Sequence, residues 1–243
     1  MPTRAEFLDR IRREVGKTGG LFTASPAARP PRPADAADAV RRQMAERWPE
    51  ALEVFRREFE RVGGVFHRAA DAGEVPALIL GIAREKGATR LSAWDPEPLG
   101  LDPRARLEAE GLTVTAARLE EPDEAARRRH RADAPRAEIG LTGADFALAE
   151  TGTLILLSGR GRPRSTSLLP ETHIAVFDRS RLVESLAQVG ILLEALHADP
   201  ARSMSGAMIN FITGPSRTAD IELTLTRGVH GPKDVHAIFV ANP

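Results

Sequence analysis

Glu150-Thr151-Gly152-Thr153 stands between two apolar runs, FALA and LILL, and is the first place where residue types and spacing suggest chemistry. A glycine flanked by threonines lets the backbone approach a ligand, and the surrounding amides and hydroxyls suit a carboxylate or phosphate. Glu150 adds a carboxylate for proton transfer or nucleophilic attack. The same four residues also read as an ordinary hairpin turn. The segment GPSRTADIE, residues 214–222, follows the apolar stretch AMINFIT and brings Ser216, Arg217, Thr218 and Asp220 together. Open α/β sheets bind ligands in loops at the carboxyl ends of their strands. That placement predicts an anion site, with Thr218 capping a helical turn and Arg217 gripping a carboxylate or phosphate through paired hydrogen bonds. A capping loop with an Arg217–Asp220 ion pair is the competing reading.

His230 sits in the bend Gly228-Val229-His230-Gly231-Pro232, where its imidazole is a proton carrier if Asp220 or Glu222 orients its ring. The loop GRGRPRS gathers Arg160, Arg162 and Arg164. A solvated loop accounts for the first two, and Arg164, at its end, stays an anion-binding candidate. His173 and His236 read as satisfied core or rim residues at strand edges, and His130 belongs to an exposed charge run. The six histidines show no H-x-x-H or H-x-x-x-H pairing, so no protein-bound metal is expected. There is no G-x-G-x-x-G after a strand, no P-loop, no nucleophile elbow and no EF-hand loop.

The elements that must position these residues follow from patterning. The 243 residues carry 34 basic and 34 acidic side chains and no cysteine, enough chain for a self-supporting core but without disulfides, thiol nucleophiles or all-protein iron–sulfur ligation. Balanced charge argues against a broad grip on nucleic acid or anionic membrane. The amino-terminal stretch lacks the pattern of a signal peptide, and no apolar run is long enough to span a bilayer, so a soluble, cytoplasmic protein is expected.

Phe7, Leu8, Ile11 and Val15 predict a first helix, and SPAARPPRP a stiff linker. Val40, Met44, Trp48, Leu52, Phe55 and Phe59 predict a second helix, with Pro49 as a break or new first turn and core packing as the purpose of its apolar stripe. From Gly63 onward, short apolar runs alternate with amphipathic segments, the rhythm of a parallel sheet with helical crossovers. Two strands around the ETGT turn, a buried strand HIAVF, a helix from Leu182 to Leu196 and strands AMINFIT and VHAIFVA complete roughly seven or eight strands in one sheet system. The organisation expected is a helical arm with Pro-rich linker over residues 1–61 and an α/β domain over residues 62–243.

Taken in order, ADFALAETGT, SLLPETHIAV and GPSRTADIELTLTRGVHGP resemble the signature of the LUD-domain family over roughly residues 40–243. The resemblance implies an α/β three-layer sandwich of the NagB/RpiA/CoA-transferase-like kind. It also implies membership of a system oxidising L-lactate to pyruvate beside LutA-like and LutB-like iron–sulfur proteins, the clusters lying on those partners and no cofactor on this chain. Carried over by motif, Glu150, Asp220 and His230 are the groups for proton transfer, and Thr151, Gly152, Thr153, Ser216, Arg217 and Thr218 hold an anion. Two functions remain open: an accessory subunit of a lactate-oxidising complex, or a CoA-transferase-like or sugar-phosphate-isomerase-like enzyme using a loop carboxylate.

Overall fold

A computed structural model of the chain describes residues 3–17, 32–117, 128, 132, 134–199, 208–219 and 225–242. Two helices open it, α1 (Arg4–Lys17) and α2 (Pro33–Arg61). Then come β1 (Val65–Asp71), α3 (Val75–Lys86), β2 (Arg90–Ala93), α4 (Pro96–Leu99), α5 (Arg104–Ala109), β3 (Thr113–Ala116) and β4 (Ile139–Gly143). They are followed by β5 (Phe146–Leu148), β6 (Thr153–Leu157), α6 (Ser165–Leu168), β7 (Thr172–Asp178), β8 (Leu182–Val183) and α7 (Leu186–Ala198). The strands β9 (Ile209–Ile212), β10 (Arg217–Ala219), β11 (Leu225–Arg227) and β12 (Asp234–Asn242) close the chain.

The expected single sheet system is instead three sheets among the described residues. A six-stranded sheet has the order β1-β12-β7-β4-β2-β3, a four-stranded one β8-β5-β6-β9, and β10-β11 form a separate ribbon. Every pairing in the large sheet is parallel. The β5–β6 and β6–β9 pairs are antiparallel. The division follows from connection length: β5 and β6 are joined by a short turn that can only reverse the chain, whereas the parallel strands need crossovers. The helix expected from Leu182 starts at Leu186, because Leu182 and Val183 pair with Ala147 and Leu148 as a strand.

Each face of the parallel sheet carries its own core, as a sheet buried on both sides requires. On one face Ile139, Leu141, Ile174, Val176, Ile238 and Val240 pack with Val75, Ile79 and Leu107 of α3 and α5. On the other, Ala175, Phe177, Ala237 and Phe239 pack with α2, α7 and the small sheet. Alternate residues of β7 and β12 thus point to opposite cores, the period-two pattern of a strand. Helix α2 delivers the predicted stripe here. Phe55 stacks on Phe59 at 5.3 Å between ring centres and meets Phe177 edge-on at 5.2 Å, while Trp48 stacks on Phe239 at 5.9 Å. Pro49 does not interrupt the helix, since burial of Met44, Ala51, Leu52, Phe55 and Phe59 on one continuous face outweighs the lost backbone bond. No helix of the described residues is long and apolar enough to cross a membrane.

Candidate functional site

Two of the predicted loops meet at the end of α2. The hydroxyl of Thr153 lies 2.7 Å from that of Thr151 and 2.8 Å from that of Thr213, which joins the ETGT turn to the segment leading into Ser216 and Arg217. Arg217 donates from Nη2 to the Val62 carbonyl at 2.7 Å, satisfying an open acceptor at the helix end. Ser216 bridges to the last predicted loop: its amide donates to the Pro232 carbonyl at 2.9 Å, and its hydroxyl accepts the His230 amide at 3.3 Å. Thr151, Gly152, Thr153, Ser216, Arg217 and His230 therefore form one continuous cluster. Arg164 is exposed at the start of α6, and no hydrogen bond among the described residues ties its side chain to that cluster. Asp220 and its possible partner Glu222 lie outside the described residues, as does His130.

The cluster stands where the placement argument did not put it. β9 is an edge strand of the small sheet, and the loops at Val62–Gly64 and His230–Lys233 run into the starts of β1 and β12. This is the amino edge of the parallel sheet, opposite to the edge at which open α/β folds bind ligands. Thr218 lies in β10, paired with Thr226, instead of capping a helical turn, because the left-handed turn at Gly214 sends the chain into a two-stranded ribbon. Arg217 faces the carboxyl end of α2, whose dipole attracts cations and not anions.

Gly152 also serves packing. It adopts φ +61°, and a Cβ there would collide with the backbone of Phe59 and Glu58. Its close approach is to helix α2. The Glu150 carboxylate accepts the Leu186 amide at 2.8 Å, completing the start of α7 beside the Ser185 cap.

The carboxyl edge holds groups the sequence reading passed over. The strand order reverses between β2 and β4, since β2 leads outward to β3 while β4 lies on its other side. Beyond these strand ends the Trp94 amide donates to the Leu141 carbonyl at 3.0 Å, and its ring nitrogen donates to the Pro163 carbonyl at 3.3 Å. Arg162 pairs with Asp145 at 2.7 Å and lies 5.8 Å from the Trp94 ring centre. The other Asp145 oxygen accepts the Leu157 amide at 2.7 Å. Thus Arg162, read from the sequence as part of a solvated loop, is engaged in the fold. Its signal in sequence was only the Gly161–Pro163 bracket, which any surface loop shares.

Three histidines far apart in sequence also converge, because the order β1-β12-β7 makes their strands neighbours. His67 Nε2 lies 3.0 Å from His236 Nδ1 with the rings stacked at 5.3 Å, and His173 Nε2 lies 2.8 Å from the Thr142 hydroxyl. The expectation that His173 and His236 are satisfied core residues holds for one ring nitrogen of each: His173 Nδ1 and His236 Nε2 are buried without a partner among the described residues. Burial, followed by the charge of His236, pushes His173 down to about 3. Burial also lowers His236 to about 4, with His67 and Lys86 acting in the same direction against Asp234 and Glu85. His67 is lowered by burial as well.

The LUD domain model matches residues 52–240. The chain belongs to the LUD-domain family. This LUD-domain chain is 34% identical over 244 residues to Lactate utilization protein C of an Exiguobacterium species, covering 98% of the chain and 95% of that relative. It is 52% identical to Lactate utilization protein C of Halalkalibacterium halodurans over 99 residues, a match that spans 41% of the chain and 42% of that relative's length. Among solved structures it resembles a DUF162 family protein from Deinococcus radiodurans, at TM-score 0.52 and 25% identity, covering 79% of this chain and 98% of that one.

Proposed function

We propose that this LUD-domain chain is an accessory subunit of an L-lactate utilisation system, working beside iron–sulfur proteins of the LutA and LutB type. The observation that carries the reading is the near full-length similarity to a Lactate utilization protein C. The absence of cysteine supports the division of labour, because a chain without thiolates must leave cluster ligation to partners. A CoA-transferase-like role for Glu150 gains nothing from its surroundings, where its carboxylate is engaged by the Leu186 amide. The kinship to NagB/RpiA-like folds remains part of the proposal, supported by the parallel sheet with a core on either face.

Deleting the gene in the source organism should abolish growth on L-lactate while sparing growth on pyruvate. Affinity purification of the full chain should bring down cysteine-rich iron–sulfur proteins. Normal growth on L-lactate together with recovery of the chain alone would refute the assignment.

Arg217 and His230 form the exposed polar end of the loop cluster, and we assign to them the contact with an anionic group of ligand or partner. Arg217→Ala removes one hydrogen bond to the Val62 carbonyl, so stability should fall by only about 1 kcal/mol. If the assignment holds, the deletion strain complemented with this variant should still grow poorly on L-lactate at normal protein abundance. Full growth would remove Arg217 from the contact.

A further inference from the structure

Helix α1 carries Phe7, Leu8 and Ile11 at a spacing that gathers them on one helical face. That face is uncovered: the three side chains are 54%, 36% and 43% exposed, and neither hydrophobic core includes them. A helix of 14 residues is marginal in water unless its apolar face packs on something. Helix α7 poses the matching problem on the body of the protein. Its inner side is settled, with Val189 and Leu192 buried in the core that α2 shares. Its outer side begins with Leu186, 55% exposed, continues through Ala187 and Gly190, and carries no charge before Glu194. A Cβ on Gly190 would meet nothing within 4 Å, so the space over this side is open. Ile191 and Leu193 flank it and are only partly buried. A surface helix ordinarily turns polar residues to water, and one that is apolar on both sides belongs under a cover.

We propose that α1 of one copy docks on the outer side of α7 of a second copy, and reciprocally, so that exchange of the two arms makes a dimer. Both faces are uncovered within one copy, and a second copy supplies each with the other, so the exchange closes symmetrically and leaves neither over. Charge favours the pairing. Helix α1 has more basic than acidic residues, Arg4, Arg10 and Arg13 among them, whereas Glu184, Glu194 and Asp199 lie in a stretch from Leu182 to Asp199 that contains no lysine or arginine. Arg47 answers Glu184 at 2.7 Å from within the same copy, and at the carboxyl end of α7 the helix dipole adds its own attraction for cations. The lengths match as well, since helices of 14 and 13 residues can lie along one another for about 20 Å. The link from Lys17 to Pro33 reaches up to about 50 Å when extended, enough to cross to a neighbour. Area decides between this exchange and a simple pairing of arms. A stable dimer buries roughly 1,200 Å² or more in total. Two α1 helices alone would make one small contact, whereas exchange makes two, each joining both uncovered faces. The inference does not depend on the lactate assignment.

Sedimentation of the full chain at micromolar concentrations should give a mass of about twice 26.3 kDa. Phe7→Asp combined with Ile11→Asp on the arm, and separately Gly190→Glu on α7, should each raise the dimer dissociation constant about tenfold or more. All three positions are exposed, so each variant should keep a cooperative unfolding transition. The lack of native cysteine lets the contact be placed directly. An Ile11→Cys chain mixed with a Gly190→Cys chain should give a two-chain product with a short bismaleimide, and adding Phe7→Asp to the first chain should suppress it. A monomeric mass at every concentration would overturn the proposal, as would a dimer that both sets of variants leave unchanged. Crosslinking of Ile11→Cys chains to one another but not to Gly190→Cys would put the contact between the arms. A product of single-chain mass from a chain carrying both cysteines would put α1 on its own α7. Either result refutes the exchange.

Discussion

Acidifying the protein from about pH 7.5 to about pH 4.5 should lower its melting temperature by on the order of 10 °C, with His173 and His236 responsible for a large share. In the folded chain these rings are depressed to about 3 and about 4, against an ordinary value of 6.5. A depressed folded value means that the unfolded chain binds more protons through this window. The stability contributed by keeping both rings neutral is therefore complete above pH 6.5, and falls away as pH drops toward the folded values. Each unit of depression corresponds to about 1.4 kcal/mol, so the combined loss by the lower pH is on the order of 3–5 kcal/mol.

The physical origin is burial, which disfavours the charged ring, and among the described residues His173 Nδ1 and His236 Nε2 have no acceptor that would stabilise an added proton. Near His236, Lys86 adds to the penalty while its own ion pair with Asp234 at 3.0 Å offsets part of it. Thermal melts of the parent, His173→Gln and His236→Gln across this range would test the account. The variants should start lower and lose less on acidification. Parallel curves for all three proteins would place the acid sensitivity elsewhere.

Gly152→Ala should destabilise the chain by about 3 kcal/mol or more, although the change adds a single methyl group. Gly152 holds φ +61°, a region alanine adopts at a cost, and the added Cβ would meet the backbone of Phe59 and Glu58. Backbone cannot rotate aside as a flexible side chain can. Relief requires the end of α2 to move away from the small sheet. That movement would loosen Phe59, Phe55 and the aromatic contacts with Phe177 in the core. A chemical-denaturation measurement without any ligand distinguishes this from a binding role. If Gly152 served a ligand, the variant would keep its unfolding midpoint and lose only binding.

The amphipathic stripe of α2, the alternation that marks the parallel strands and the two strands around ETGT were legible from residue spacing. Hydrophobic periodicity is a local property that burial enforces directly. The same reading merged three sheets into one, because strand patterning records which residues are buried and not which neighbour a strand pairs with. The LUD-domain signature was legible as ordered motifs, and Thr153, Ser216, Arg217 and His230 do meet in space. What those motifs do locally was less legible. ETGT has the composition of a ligand cradle, yet Gly152 is needed where two backbones touch and Glu150 completes a helix start.

Composition and spacing alone determined that this chain has an α/β core on an aromatic-bearing helix, and that the sequence offers no cysteine thiolate to an iron–sulfur cluster. Only the tertiary structure decided which groups share a site. The order β1-β12-β7-β4-β2 places His67, His236, His173, Gly140 and Ser92 on adjacent strands although they are scattered from residue 67 to residue 236. It also sets the predicted loops on the amino edge of the sheet, away from the reversal between β2 and β4. Strand order depends on long-range pairing, which no local pattern encodes, and it is this order that sets His67, His236 and His173 on neighbouring strands.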